Sequence, residues 1–134
     1  MQKFILTLIF SVFTASMFAE PVMARSIQTV YSKVATASGK AMSARDVESA
    51  IVTASAHRGW EFKKVAHGKL VGTLVVRGKH YVAIDILFNS KEYRFTYKDS
   101  KNMRYDPETK TIHKRYNSWV TNLDNDIKFY LQSK

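Results

Sequence analysis

His113, Asp99 and Ser100 are the residue types of a hydrolytic triad, in which a base must reach a hydroxyl and a carboxylate must orient the base. Their setting argues for a different use. No Gly-x-Ser-x-Gly turn surrounds Ser100, and Asp99-Ser100-Lys101-Asn102 has ordinary turn composition, in which side-chain oxygens bond nearby amides. His113 lies just ahead of a helical run, where a cap or a hydrogen-bonded anchor is the simpler role. Asp99, Ser100 and Asn102 are therefore expected to form a turn that His113, Tyr116 and Asn117 hold, a polar clasp between loop and helix. Hydrolysis with His113 as base and Asp99 as its orienter stands as the alternative.

Other candidate chemistry is thinner. The four histidines, His57, His67, His80 and His113, make no i, i+3 or i, i+4 pair, and the chain has no cysteine, so neither a metal site nor a cofactor is expected. The missing cysteine also excludes a disulfide framework, a thiol nucleophile and a lipidated N-terminal cysteine. Tyr97, Tyr105, Tyr116 and Trp119 have the makings of a stacking platform, with Arg94, Arg104 and Arg115 near them. Such residues also fill a core edge while a polar tip meets water, and the core use is the one expected.

Charge carries more information. The chain has 21 Lys and Arg against 11 Asp and Glu, a net charge of +10, above the roughly 2–8 that keeps a small domain soluble. Lys63, Lys64 and Lys69 gather at one expected turn, Arg77, Lys79 and His80 at the next. Lys98, Lys101, Arg104, Lys114 and Arg115 gather around the last loop, and these five are the expected binding set for an anionic partner.

Regular elements must position these groups. Ser43 caps a helix expected over 44–58, with Asp46 in its first turn, Val47, Ala50, Ile51 and Ala54 on one stripe, and Gly59 as its stop. The period then becomes two, predicting strands over 60–66, 70–77, 80–88 and 91–98 joined by short turns, hence antiparallel. Leu74, Val76, Val82, Ile84, Ile86, Phe88, Tyr93, Phe95 and Tyr97 make one core face. The opposite face mixes Asp85, Arg94 and Lys98 with Val71, Val75, Tyr81 and Leu87. Tyr105 to Thr111 reads as a hairpin with Asp106-Pro107 at its turn and Lys110 where glycine is more usual. A last helix, 114–132, carries Tyr116, Trp119, Val120, Leu123, Ile127, Tyr130 and Leu131 on one side. The expected fold is α+β, a two-layer sandwich with a four-stranded antiparallel meander and two helices on one face, in the order αββββα.

The N-terminus has the build of an export signal. Lys3 precedes an apolar run from Phe4 to Ala19, and Pro21-Val22-Met23-Ala24 leads to small residues at the cleavage pockets, which places the cut after Ala24. The run is shorter than the about 20 residues a membrane span needs. The expected organisation is a signal peptide over 1–24, an extended arm over 25–42 with a short edge strand at 27–31, and one domain over 43–134. No stable membrane insertion is expected after cleavage.

The helix end His57-Arg58-Gly59-Trp60, the strand end Tyr97-Lys98-Asp99-Ser100-Lys101-Asn102 and the block Ile112-His113-Lys114-Arg115-Tyr116-Asn117-Ser118-Trp119-Val120-Thr121-Asn122-Leu123 resemble a group of small exported proteins and lipoproteins of Gram-negative bacteria. That resemblance implies the compartment and the αββββα order and carries no activity. Lipidated members of the group start from a cysteine that this chain lacks. The expected function is that of a periplasmic or secreted, non-catalytic binding or accessory protein. Its partner would be an anionic envelope component, such as lipopolysaccharide or anionic phospholipid, or an acidic protein. A nucleic-acid partner is an alternative that export disfavours, and an inhibitor of basic lysozymes is disfavoured by like charge.

Overall fold

The computed structural model describes residues 24–134. The export signal expected over 1–24 therefore lies, apart from Ala24, outside the described residues. The elements are β1 (Ala24–Ser26), β2 (Val30–Lys33), α1 (Ala44–Ala54), a 3-10 turn (Ala56–Arg58), β3 (Glu61–Ala66), β4 (Lys69–Val76), β5 (His80–Phe88), β6 (Glu92–Lys101), β7 (Thr111–His113) and α2 (Arg115–Gln132). The fold is α+β, and no described helix is long and apolar enough to cross a membrane.

The meander β3 to β6 forms as expected, but it is not the whole sheet. Strand order is β2-β6-β5-β4-β3, all neighbours antiparallel, with β1 and β7 in a separate two-stranded ribbon. The fifth strand comes from the arm, at Val30–Lys33 rather than 27–31, and pairs Val30 with Phe95 and Ser32 with Tyr93. Ile27 is drawn off to another task, its N–H bonding the carbonyl of Lys110 at 3.0 Å. In β2, Val30 and Ser32 are buried while Tyr31 and Lys33 are exposed, a strand alternation with a hydroxyl in an apolar position.

That hydroxyl has a partner. Asp124, buried in mid-α2, accepts from Ser32 Oγ at 2.8 Å and from Tyr93 Oη at 2.6 Å, and its other oxygen meets Lys128 Nζ at 3.0 Å. Burial, then the neighbouring carboxylate, drives the Tyr93 phenol far above its ordinary range. Two residues on, Asp126 accepts from Ser55 Oγ and pairs with Arg58, whose Nη2 lies 3.1 Å from its Oδ1. The two acids thus tie α2 to the sheet edge and to the end of α1.

α1 starts on a reciprocal capping box, Ser43 Oγ accepting from Asp46 N–H and Asp46 accepting from Ser43 N–H, both at 3.0 Å. The helix ends at Ala54, short of 58, because Ser55 and Arg58 turn toward Asp126; Gly59 then takes the left-handed stop at φ 94°. Val47, Ala50 and Ile51 from α1, and Tyr116, Val120, Leu123, Ile127 and Leu131 from α2, pack on Leu74, Val82, Ile84, Ile86, Tyr93 and Phe95 in one core. No described element covers the sheet's other face. There Val75 is 56% exposed, Lys101 stands over the Tyr81 ring at 5.7 Å, and Asp85 sits between Lys69 and Lys98, each 3.8 Å away.

β6 outruns its expected end. A bulge puts Ile84 opposite Tyr97 but Ala83 opposite Asp99, so Lys98 is the extra residue and the strand pairs on to Lys101 against Tyr81. Asp99 and Ser100 consequently lie in the strand, and the turn begins at Asn102, φ 59°. The later hairpin forms around Asp106, which accepts from Glu108 N–H at 2.9 Å, and Lys110 takes the left-handed φ of 57° that its position implied.

Candidate functional site

Three chain segments meet at one end of the sheet. The β4–β5 turn brings Arg77, φ 58°, next to Gly78, φ 68°, as primed hairpin turns require, and leads into His80. The loop after β6 supplies Met103, almost wholly buried, and Arg104, φ 54°. The third segment, the start of α2, is fastened to that loop by His113 N–H, which bonds the Met103 carbonyl at 2.8 Å.

Between them lies a cavity of about 340 Å³ bounded by Arg77, His80, His113, Lys114, Arg115 and Trp119 over Val76 and Met103. Its bounding residues include no carboxylate. Among the described residues, Arg77, Lys114 and Arg115 have no ion pair, whereas Arg58, Lys64, Lys69, Lys98 and Lys128 each have one. Lys114 and Arg115 also stand where α2 begins, with no acid in its first turn, so their charges add to the positive end of the helix dipole.

The two imidazoles are 6.3 Å apart between ring centres and tilted by 44°. His80 Nδ1 lies 2.9 Å from the Asn102 carbonyl, which only accepts, so this nitrogen carries a proton. His113 Nδ1 accepts from the Arg115 backbone N–H at 3.1 Å, so its neutral ring carries the proton on Nε2. Asn102 is itself anchored by its Nδ2, which donates to the Lys79 carbonyl at 2.8 Å. Burial, then His80, Arg115, Arg104 and Lys114, hold the His113 pKa below the usual histidine value. Burial opposes a charge of either sign, but the neighbouring cations favour a negative one.

The expected binding set divides. Lys114 and Arg115 enter the cavity and Arg104 is close enough to act on His113, but Lys98 and Lys101 are on the open sheet face, engaged with Asp85 and Tyr81. Arg77 and His80, read as part of a different charge cluster, take their place.

The clasp divides as well. Asn117 holds the arm, its Oδ1 accepting from Gln28 N–H and its Nδ2 donating to the Ser26 carbonyl, both at 2.9 Å. Ser100 Oγ bonds Tyr97 Oη at 2.7 Å, and no hydrogen bond joins Asp99 to His113. Strand pairing through Asp99 and Ser100 removed the turn on which the clasp depended. His113 does cap the helix, and it does so through its ring.

Of the aromatic set, Tyr97 stacks on Tyr105 at 4.3 Å and meets Tyr116 edge-on at 5.9 Å. Tyr116 is fully buried, its hydroxyl without a partner, and burial pushes that phenol well above its ordinary range. Trp119 stands apart from them, half-buried at the cavity wall. A larger cavity beside Tyr97 and Tyr105, about 660 Å³, is bounded by Lys98 and Lys110 but also by Asp99, which offsets part of its charge. Among the described residues, no group of three or more His, Asp or Glu is placed to hold a metal ion. No family model, curated protein or solved structure matches this chain.

Proposed function

We propose that this is an exported, non-catalytic binding protein of the bacterial envelope, periplasmic or secreted, that seats an anionic group of its partner among Arg77, Lys114 and Arg115. The carrying observation is that these three cations bound one cavity with no carboxylate in its wall and no ion pair of their own among the described residues. The backbone brings these exposed charges together, so an anion must order their side chains but need not break an ion pair to do so. The His113 ring at the cavity wall adds an Nε2–H donor suited to phosphate or carboxylate oxygens, whereas the Nδ1–H of His80 is spent on the Asn102 carbonyl. The partner is an anionic envelope component, a phosphate-bearing lipid or glycolipid or an acidic protein.

A hydrolase built on His113 and Asp99 is not supported by this geometry, because the His113 Nδ1 that a carboxylate would orient is already occupied by Arg115 N–H. The direct test is binding to vesicles of anionic and of neutral phospholipid at rising salt. Capture by anionic vesicles alone, weakened as screening shortens, supports the reading. Equal capture by neutral vesicles, or binding insensitive to salt, overturns it.

A further inference from the structure

Trp119 separates two cavities. Beyond the cationic one lies a second of about 330 Å³, bounded by Arg58, Trp60, Leu74, Val76, Trp119 and Asn122. Val76 and Trp119 line both, so the two spaces are neighbours along these side chains. Each lies at the small end of the ordinary range for a ligand pocket, about 300–1,000 Å³, and together they sit well within it.

The chemistry changes from one side of Trp119 to the other. Arg58 is already neutralised by Asp126, so the second cavity offers no free charge to an anion. Its floor is apolar, Trp60 and Leu74 each being 4% exposed. Its polar groups are the Arg58 guanidinium, already engaged with Asp126, and the Asn122 amide, which has no hydrogen-bond partner among the described residues. A flat ring with C–H faces and a hydroxyl edge satisfies both features, since an indole takes the face and an amide the hydroxyl. An acyl chain would leave the amide facing apolar surface without a partner.

Resting on the anion reading above, we propose that the paired cavities take a phosphorylated sugar ring. The phosphate lies among Arg77, Lys114 and Arg115, and the ring lies against Trp119 with a hydroxyl on Asn122. The same chemistry occurs in a free sugar phosphate and in the phosphorylated headgroup of a glycolipid.

Calorimetric titration of the protein with glucose 1-phosphate, inorganic phosphate and glucose tests this. Glucose 1-phosphate should bind about tenfold more tightly than phosphate, the scale of one stacked ring, and glucose alone should give no measurable heat. Asn122→Ala should bring glucose 1-phosphate down toward phosphate while phosphate affinity stays, and Trp119→Ala, whose indole also bounds the anion cavity, should narrow the ratio between the two. Trp119→Phe, which keeps an aromatic face, should retain part of the difference and covers the case in which the alanine variant folds poorly. Neutral vesicles with and without a phosphorylated glycolipid separate the two sources: capture only by the glycolipid vesicles supports the headgroup, and soluble binding without capture supports the free ester. Equal affinity for phosphate and glucose 1-phosphate overturns the sugar inference and leaves the anion reading standing. Binding of neither overturns both.

Discussion

His113 Nδ1 accepts the backbone N–H of Arg115 at 3.1 Å, so a titratable ring caps the first turn of α2. A protonated imidazole has no lone pair to offer, and adding a proton at Nδ1 ends this bond. The His113 pKa is lowered in the folded chain relative to about 6.5 in the unfolded one. The unfolded state therefore binds the proton first, and the stability that comes with a neutral His113, set chiefly by burial and then by the cations around it, is whole above about pH 6.5 and lost as pH falls toward the depressed folded value. Urea denaturation between pH 7 and 5 should show stability declining, and His113→Asn, which keeps an acceptor without titrating there, should flatten the decline. An unchanged slope in that variant would remove His113 from this role. Asp46, Asp106 and Asp126, each lowered chiefly by a hydrogen bond, lose their contribution only as pH falls below about 4.

Asp124 joins an edge strand, a central strand and α2 through one buried carboxylate. Asp124→Ala would leave the Ser32 and Tyr93 hydroxyls buried without that acceptor and should cost about 3 kcal/mol. Tyr93→Phe combined with Asp124→Ala should cost less than the two single changes together, because their shared bond can be lost only once. Strict additivity in denaturation midpoints would show that the bond contributes nothing to stability.

Arg77 is held at φ 58°, a conformation that costs a side chain energy and glycine almost none. Arg77→Gly should therefore raise stability by about 1 kcal/mol while weakening phosphate binding. A variant that gains stability and keeps full affinity would place Arg77 outside the site.

Trp119 lies at the cavity wall, partly buried against the core. Trp119→Ala should cost about 2 kcal/mol, below the about 3–5 kcal/mol of a ring enclosed on all sides. A loss at the upper figure, measured by thermal melting, would mean that the indole is more enclosed than this geometry allows.

Much of the core was legible because it follows a local period. Leu74, Val82, Ile84, Ile86, Tyr93 and Phe95 alternate along their strands and all face the helices. An edge strand in the arm was legible, but its true bounds were hidden by Ser32, whose inward position makes sense only with Asp124, 92 residues away, to receive its hydroxyl. The bulge at Lys98 had no local mark either, yet it decided that Asp99 and Ser100 would be strand and that the clasp would not form. The site was half legible. Excess charge and the cluster around Lys114 were visible, but the meeting of Arg77 and His80 with them depends on β5–β6 register and on the bond from His113 to Met103. Both are long-range, and neither leaves a spacing pattern.

The proposed seat for an anion lies among Arg77, Lys114 and Arg115, beside the two imidazoles. Nitrogen-15 correlation spectra of the labelled protein, recorded through the histidine rings and backbone amides during a phosphate titration at constant ionic strength, test it most directly. Saturable shifts are expected at the His80 and His113 rings and at the Arg115 amide, with the His57 and His67 rings unmoved. Shifts that never saturate, or that appear equally at all four histidines, would contradict it.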